Sequence, residues 1–271
     1  MSEKDDEKSS LTFPNDPIYS IMEETKQDPA VALVNWTRLF VTHDRRMYNA
    51  FERLVGEDRA LKMHKRVWEN PTDPVLPILS GNFSGPLDAV GAFVRAFIVH
   101  DFYCFWIMVE ECGETKAIET HHSIWENQDL EGGEHAMEDL GATEKMTWKE
   151  VMDRYFLATH NEGLPFYLVD ETEEELVVET KQCVYYDSMC HVFGDDWGDR
   201  HLHKIAVEST DRTIECFLAG IGQEDKMQGV MTKHRCHGDE ACQVVFTKRD
   251  RELPIVDWGM HGEDRDYAER T

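Results

Sequence analysis

The segment from Cys183 to His191 holds the side chains whose types and spacing point most directly to chemistry. It follows a β-rich run and is predicted to open a helix, which would place Cys183 at a helix N-terminus. Unpaired N–H groups and the positive end of the helix dipole favour a thiolate over a thiol there. A thiolate can attack an electrophilic carbon, so Cys183 is a candidate nucleophile. The alternative is a buried cysteine that packs under a sheet.

A nucleophilic cysteine needs a base, and the spacing decides where that base must come from. Cys183, Asp187 and His191 would share one helix face, but a helix separates the two ends by about 12 Å. His191 therefore cannot reach the sulfur. The candidate bases are His121 and His122, at the end of a predicted strand, while Asp187 would orient the site or protonate the product. The residues expected to line a ligand pocket are Tyr185, Trp125, Trp197 and His203.

A second cluster, from His234 to Cys242, closes a predicted hairpin. With a three-residue loop, Cys236 and Cys242 would be opposed cross-strand neighbours, and with a two-residue turn the register slips by one. Opposed cysteines could bind a metal together with His234 or His237, or form a disulfide under oxidation, although their spacing matches no standard zinc motif. The alternative is a tight turn in which Gly238 supplies a positive φ and Asp239 caps the turn.

Motifs and composition exclude several function classes. The chain has no G-x-G-x-x-G, P-loop, G-x-S-x-G or H-E-x-x-H motif, which removes the simplest dinucleotide, NTPase, α/β-hydrolase and zincin interpretations. We therefore predict no cofactor. Among 271 residues, 54 are acidic and 28 are Lys or Arg, which gives a formal net charge of −26. A field this negative repels polyanions, so we expect no nucleic-acid partner.

The cysteines and the apolar runs bear on where the protein resides. Seven cysteines without a C-x-x-C pair or a secretion signal indicate free thiols. Met1 to Ser10 is polar and acidic, unlike a signal peptide. The longest apolar stretch, Phe102 to Val109, is short of the ~20 residues that span a bilayer. We expect a cytoplasmic protein with no membrane partner, and a homo-oligomer remains open.

The first hundred residues are predicted to be mainly helical. Residues 1–15 form a polar, disordered tail, and the helical region covers 16–100. Asp28, as an N-cap before Pro29, starts a helix that Gly56 ends. Further helices are predicted over Glu57–Trp68 and from Pro86 onward, with an irregular connection over Pro71–Pro86.

From Tyr103 the pattern changes to alternation. Phe105, Ile107 and Val109 alternate, Gly113 marks a turn, and residues 115–124 are predicted to return as the second strand of a hairpin. An acidic, turn-rich stretch over 128–143 follows. Thr147-x-x-Glu150 then has the pattern of a capping box that opens a helix.

The C-terminal third is predicted to contain two more hairpins, over 166–180 and 227–247, with helices over 184–193 and 214–221. The fold class is therefore α+β, with an N-terminal helical region packed on a C-terminal antiparallel sheet with crossing helices. The second region would be an α+β small-molecule-binding unit over 101–249, followed by a charged tail over 250–271.

Two segments resemble a known family. Glu179 to Asp187 is similar to the "rCPy" segment of the L-2-amino-thiazoline-4-carboxylic acid hydrolase-like family, with Val184 in place of the proline. Cys236 to Phe246 is similar to that family's closing "GD-x-x-C-x-F" hairpin, which related vinyl-reductase-type small-molecule-binding domains share. The resemblance implies an α+β fold with a small-molecule pocket. The family's founding reaction opens a cyclic thiazoline by hydrolysis.

The leading hypothesis is a hydrolase-like enzyme that acts on a small C–N or C–S compound, cyclic or open-chain, through a thiolate at a strand-to-helix corner. One alternative is a non-catalytic module that binds or senses a small molecule in the same pocket. Another is a thiol/His metal-binding protein that uses Cys183, Cys236, Cys242 and nearby histidines.

Overall fold

The computed structural model of the chain describes residues 16–70, 75–79, 81–140, 147, 149–150, 152, 166–194 and 211–252. Helices form the N-terminal part and an antiparallel sheet the C-terminal part, so the predicted α+β class is confirmed. The elements are α1 Pro17–Thr25, α2 Pro29–Val55, α3 Glu57–Trp68, α4 Val75–Leu79, α5 Pro86–Cys112, α6 Glu114–Leu140, β1 Tyr167–Glu171, β2 Glu175–Thr180, α7 Val184–Phe193, α8 Asp211–Gly220, β3 Met227–Lys233 and β4 Cys242–Lys248. The predicted tails, 1–15 and nearly all of 250–271, lie outside the described residues.

The starts and stops of the first helices follow their local signals. The Asp28 carboxylate accepts a hydrogen bond from the Ala30 N–H at 2.8 Å, and Pro29 occupies the first turn of α2. Gly56, with a φ of 80°, ends α2 and lets α3 begin at the next residue. The predicted helix starts at Pro29, Glu57 and Pro86 are all confirmed.

The predicted hairpin over 103–124 is wrong, because this stretch is the end of α5 and the beginning of α6. α5 is buried on most sides: Phe105 and Ile107 are in the core and Val109 is half-buried. A helix that is apolar all round loses its 3.6-residue periodicity and can show chance alternation. The expected loop over 128–143 is helical as far as Leu140, and the expected boundary at residue 100 falls inside α5.

The apolar segment is also longer than the stretch from Phe102 to Val109 that was expected, because it extends over much of α5. By length and composition it is able to cross a membrane, but 72% of its most apolar 18-residue window is buried inside the protein. α2, α3, α4 and α6 all contact it. Such burial is typical of the central helix of a bundle.

The C-terminal hairpins are confirmed. The sheet has the strand order β1-β2-β4-β3, and every neighbouring pair is antiparallel. α8 packs against both β3 and α6, so it joins the sheet to the helical part. Met227, Phe246 and Phe217 lie in the core between α8 and the sheet. At Thr147 the predicted capping box forms, since Glu150 accepts from the Thr147 N–H at 2.8 Å, but the rest of that helix, to residue 163, lies almost wholly outside the described residues.

The two long helical hairpins, α2–α3 and α5–α6, are repeats of one another. At a constant offset of 57 positions, 13 of the 42 residues from 29 to 70 are identical to those from 86 to 127. α2 and α5 each have 27 residues, and each ends at a glycine with a φ of 80° or 84°. The identical pairs include Pro29/Pro86, Phe40/Phe97, His43/His100, Asp44/Asp101, Gly56/Gly113, His64/His121 and Trp68/Trp125.

Two adjacent glycines of α6 should respond in opposite ways to replacement by alanine. A Cβ at Gly133 would lie 2.9 Å from the Gly220 Cα of α8, whereas a Cβ at Gly132 would meet nothing within 4 Å. We expect Gly133→Ala to lower the free energy of unfolding by about 1–3 kcal/mol through overpacking. Gly132→Ala should raise it by roughly 0.5–1 kcal/mol, because alanine favours the helix. Urea denaturation measures both, and equal stabilities would contradict the close approach of α6 to α8.

Candidate metal centre

The predicted strand-to-helix corner at Cys183 is present. β2 ends at Thr180, and Cys183 is the N-cap of α7, with its sulfur accepting the Tyr186 N–H at 3.5 Å. The Asp187 carboxylate accepts the N–H of Cys183 at 2.9 Å and lies 2.6 Å from Nη1 of Arg235. Asp187 therefore braces the corner through a backbone cap and an ion pair.

The thiolate expected at this corner is not favoured. Burial, and next the neighbouring thiol of Cys242, raise the pKa of Cys183 to about 12. The N–H of Tyr186 acts in the opposite direction but does not offset burial. The prediction of a lowered pKa is therefore wrong, and the sulfur is a thiol at neutral pH.

The two candidate bases lie on α6 and not at the end of a strand. Nε2 of His121 is 2.9 Å from Oδ1 of Asp101, and both side chains are fully buried. His122, on the same helix, is also buried. Within the part of the chain that the structure describes, the Cys183 sulfur has a hydrogen bond with the Tyr186 N–H and with no imidazole. The structure therefore does not form the predicted Cys–His pair.

Three of the predicted site residues do come together, but around Asp101. The hydroxyl of Tyr185 donates to Oδ2 of Asp101, on the opposite side of the carboxylate from His121. The ring of Trp125 lies 5.3 Å from the Tyr185 ring and 6.1 Å from the His121 ring, centroid to centroid. Trp197 and His203 lie outside the described residues.

The cluster from His234 to Cys242 is a tight turn. The last pair of β3 and β4 is Lys233 with Gln243, so the observed register is neither of the two predicted ones and does not oppose Cys236 to Cys242. Nδ1 of His234 accepts the Cys236 N–H at 3.1 Å. Gly238 has a φ of 98°, and the Asp239 carboxylate accepts the His234 N–H at 2.7 Å, which confirms the turn interpretation.

A cluster of histidines and aspartates lies where the two helical repeats meet. Asp101 of α5 is approached by His43 Nε2 at 2.8 Å and by His121 Nε2 at 2.9 Å, both on Oδ1. Asp44 of α2 is approached in the same way by two histidines, His64 Nε2 at 2.6 Å and His100 Nε2 at 2.7 Å, again on one oxygen. Each carboxylate thus pairs with one histidine of its own repeat and one of the other.

The two halves of this cluster differ in access to solvent. The side chains of His43, Asp101 and His121 are 0% exposed, whereas those of Asp44 and His64 are 23% and 20% exposed. Oδ1 of Asp44 and the nearest nitrogens of His64 and His100 all lie within 4.8 Å of one another. Among the described residues this is the one group of three or more His, Cys, Asp or Glu that converges so closely.

The protonation states at Asp44 and His100 suit a metal ligand. Burial opposes ionisation of Asp44, but hydrogen bonds from His100 and His64 outweigh it and hold the pKa of this carboxyl well below its usual range. Burial lowers the pKa of His100, against the opposing effect of Asp44. An ionised carboxylate and a neutral imidazole are the forms that coordinate a metal ion.

The hydrogen bonds around Asp44 are also crowded. Nε1 of Trp68 lies 3.1 Å from Oδ1 of Asp44 and 3.1 Å from Nε2 of His64. Nε2 of His64 can donate to Asp44 or accept from Trp68, but not both, and in the second tautomer it faces the Asp44 oxygen lone pair to lone pair. A cation between the nitrogen and the oxygen would turn that repulsion into coordination, while Trp68 would donate to Asp44 from outside.

Sequence reasoning missed His43, Asp44, His64, His100 and Asp101. The available signal was the repeat itself. A His-Asp pair recurs 57 positions apart at 43–44 and 100–101, and a His-x-x-x-Trp pattern recurs at the same offset. Identical polar pairs at matched positions of two helices indicate that the helices meet through them.

The shifted pKa values of His100 and Asp44 predict how the free energy of unfolding of the metal-free protein changes with pH. As pH falls below 6.5, the unfolded chain protonates His100 while the folded protein, whose His100 pKa is lowered, does not. The free energy of unfolding should therefore fall, by at most about 1.4 kcal/mol per pH unit from this group. A further loss through Asp44 begins below pH 3.8. Urea denaturation in the presence of chelator, at about pH 5 to 8, measures the loss assigned to His100. If the stability of His100→Gln depended on pH as strongly as that of the wild type, the assignment to His100 would be contradicted.

Comparison with protein-family models, with curated proteins and with solved structures finds no match to this chain. The resemblance of the Cys183 and Gly238 segments to the L-2-amino-thiazoline-4-carboxylic acid hydrolase-like family therefore stays a prediction.

Proposed function

We propose that the protein binds one divalent transition-metal ion through Asp44, His64 and His100, and that this ion activates a water molecule for hydrolysis of a small substrate. The observation that carries the proposal is the convergence of one carboxylate oxygen and two imidazole nitrogens within 4.8 Å. Two histidines and one carboxylate are a recurring ligand set of catalytic zinc and non-haem iron sites.

The ligand number and the exposure favour a catalytic ion over a structural one. Structural zinc sites are usually closed by four protein ligands, whereas three ligands leave a position for water or substrate. Asp44 and His64 are partly exposed, so this open position can be reached from solvent. Zinc lowers the pKa of its bound water to about 7, which supplies a nucleophile near neutral pH.

The site has to open slightly to admit an ion. Ligand atoms at about 2.0–2.1 Å from a tetrahedral zinc ion lie roughly 3.3 Å apart. The Asp44 oxygen is now 2.6 Å from His64 Nε2 and 2.7 Å from His100 Nε2, so each separation must grow by several tenths of an ångström. His64, on the short helix α3 and partly exposed, has the freedom to make that adjustment.

This proposal keeps the hydrolase class expected from the sequence and changes the nucleophile. The Cys183 thiol has a raised pKa, so it is a poor nucleophile without a base. A metal-bound water needs no thiolate. The Cys183 residue then acts as the N-cap of α7, and Tyr185 in the first turn of α7 contacts the buried Asp101.

Metal binding should depend on His64. We expect the purified protein to take up about one Zn²⁺ per chain, and His64→Ala to lose stoichiometric binding because one of three ligands is gone. At a zinc concentration 100 times Kd, the free energy of unfolding of the wild type should rise by about 2.7 kcal/mol, and that of the variant should not. Elemental analysis and thermal unfolding measure these effects.

The matched control is His191→Ala, since His191 is exposed at the end of α7 and far from Asp44 in the chain. This variant should bind zinc like the wild type. A wild type without saturable zinc binding, or a His64→Ala variant that binds as well as the control, would overturn the proposal.

Experiments on Cys183 distinguish a metal-bound water from a thiolate as the nucleophile. We expect Cys183→Ser to stay folded, because serine is a good N-cap for α7, and to keep its zinc. Iodoacetamide should alkylate Cys183 of the folded wild type far more slowly at pH 8 than after unfolding, given a pKa near 12. Mass spectrometry of the modified peptide measures this. Fast alkylation of the folded protein would restore the thiolate hypothesis.

A further inference from the structure

A polar groove runs between α2 and α6, and three arginines of α2 line it. The groove has a volume of about 360 Å³, and its walls are Arg45, Arg46, Asn49, Arg53, Ile124, Asn127 and Glu131. This volume is in the range of small-molecule sites. Three arginines against one glutamate give the groove a formal charge of +2, in a chain whose net charge is −26.

Two of the arginines have no acidic partner in the part of the chain that the structure describes. Arg45 and Arg53 are exposed, and neither forms a hydrogen bond or an ion pair there. Arg46 is held by Glu131 and by Gln128 Oε1 at 3.3 Å, but its Nε is buried and has no hydrogen-bond partner among the described residues. Guanidinium groups with unused donors, facing one cavity, are suited to a carboxylate or phosphate group.

The residues that line this groove differ from those at the matching positions of the second repeat. The positions of Arg45, Arg46 and Asn49 in the first repeat correspond to Phe102, Tyr103 and Trp106 in the second. The aromatic set packs in the core against α7, where the Phe102 and Phe193 ring centroids are 4.3 Å apart. The same face of the fold is therefore apolar and covered in one repeat, but cationic and open in the other.

The net negative charge of the chain does not prevent a small anion from binding here. At physiological ionic strength the Debye length is about 8 Å, so distant surface carboxylates are largely screened. The arginines that line the groove would contact a bound anion directly, and their attraction to it would be screened much less. The local charge of +2 therefore dominates inside the groove.

We infer that this groove binds a small molecule that carries a carboxylate or phosphate group, held by Arg45 and Arg53 with Arg46 beneath. A hydrogen-bond chain continues inward from Arg46 through Gln128 to His43, whose Nδ1 is 3.1 Å from Gln128 Oε1. His43 in turn binds Asp101. The groove site goes beyond the metal centre and does not depend on it, because Arg45, Arg46 and Arg53 are on a different face of α2 from Asp44.

The test is isothermal titration of the full chain, with chelator present and at constant ionic strength, using inorganic phosphate in one arm and succinate in the other. We expect saturable binding of at least one probe with a Kd of about 1 mM or lower. Arg45→Ala/Arg53→Ala should weaken it at least tenfold. Both side chains are exposed and unpaired among the described residues, so the double variant should fold, which circular dichroism checks.

The matched control is Arg38→Ala, an exposed arginine two turns earlier on α2 and outside the groove. It should bind the probes like the wild type. Binding of phosphate alone assigns a phosphorylated ligand, and binding of succinate alone assigns a carboxylate ligand. No saturable binding of either probe, or an equal loss of affinity in Arg38→Ala and the double variant, would overturn the inference.

Discussion

The fold depends on the reciprocal pairing of two His-Asp dipeptides where α2 crosses α5. His43 reaches Asp101, and His100 reaches Asp44, at 2.8 and 2.7 Å. A carboxylate in an apolar helix interface is costly unless donors surround it, and each of these oxygens receives two imidazoles. A slip of one helical turn, about 5.4 Å, would separate both pairs at once and leave each carboxylate without one of its two imidazole partners. The polar pairs therefore fix the register that the surrounding apolar side chains allow but do not specify.

The duplication gives the two halves of this cluster different roles. Around Asp101 all three side chains are inaccessible, and Tyr185 closes the remaining oxygen, so this half ties α7 to the bundle. Around Asp44, the two histidines and Nε1 of Trp68 all lie on Oδ1, and no hydrogen bond within the described part of the chain reaches Oδ2. The half around Asp101 is therefore closed to solvent, whereas the half around Asp44 keeps side chains that solvent can reach.

The sequence allowed prediction of those helix ends and turns that depend on local chemistry. Asp28 before Pro29, the glycine at 56, the hairpin turn at Gly238 and the start of α7 after Cys183 each rest on contacts within a few residues. The end of α5 could not be assigned in this way, because burial on all sides removes the periodicity that distinguishes a helix from a strand. The site was missed for a related reason. Its three side chains come from α2, α3 and α5, and only the repeat at an offset of 57 relates them before the fold is known.

The contrast between Cys183 and Asp44 shows why a helix N-terminus did not produce a reactive thiolate. Both groups are anionic when deprotonated, and burial opposes the charged form of each. Asp44 receives two short hydrogen bonds from histidines, and these outweigh burial. Cys183 receives one N–H at 3.5 Å and has the carboxylate of Asp187 beside it, so burial prevails. The number and length of the donor contacts decide which of these two groups carries the charge.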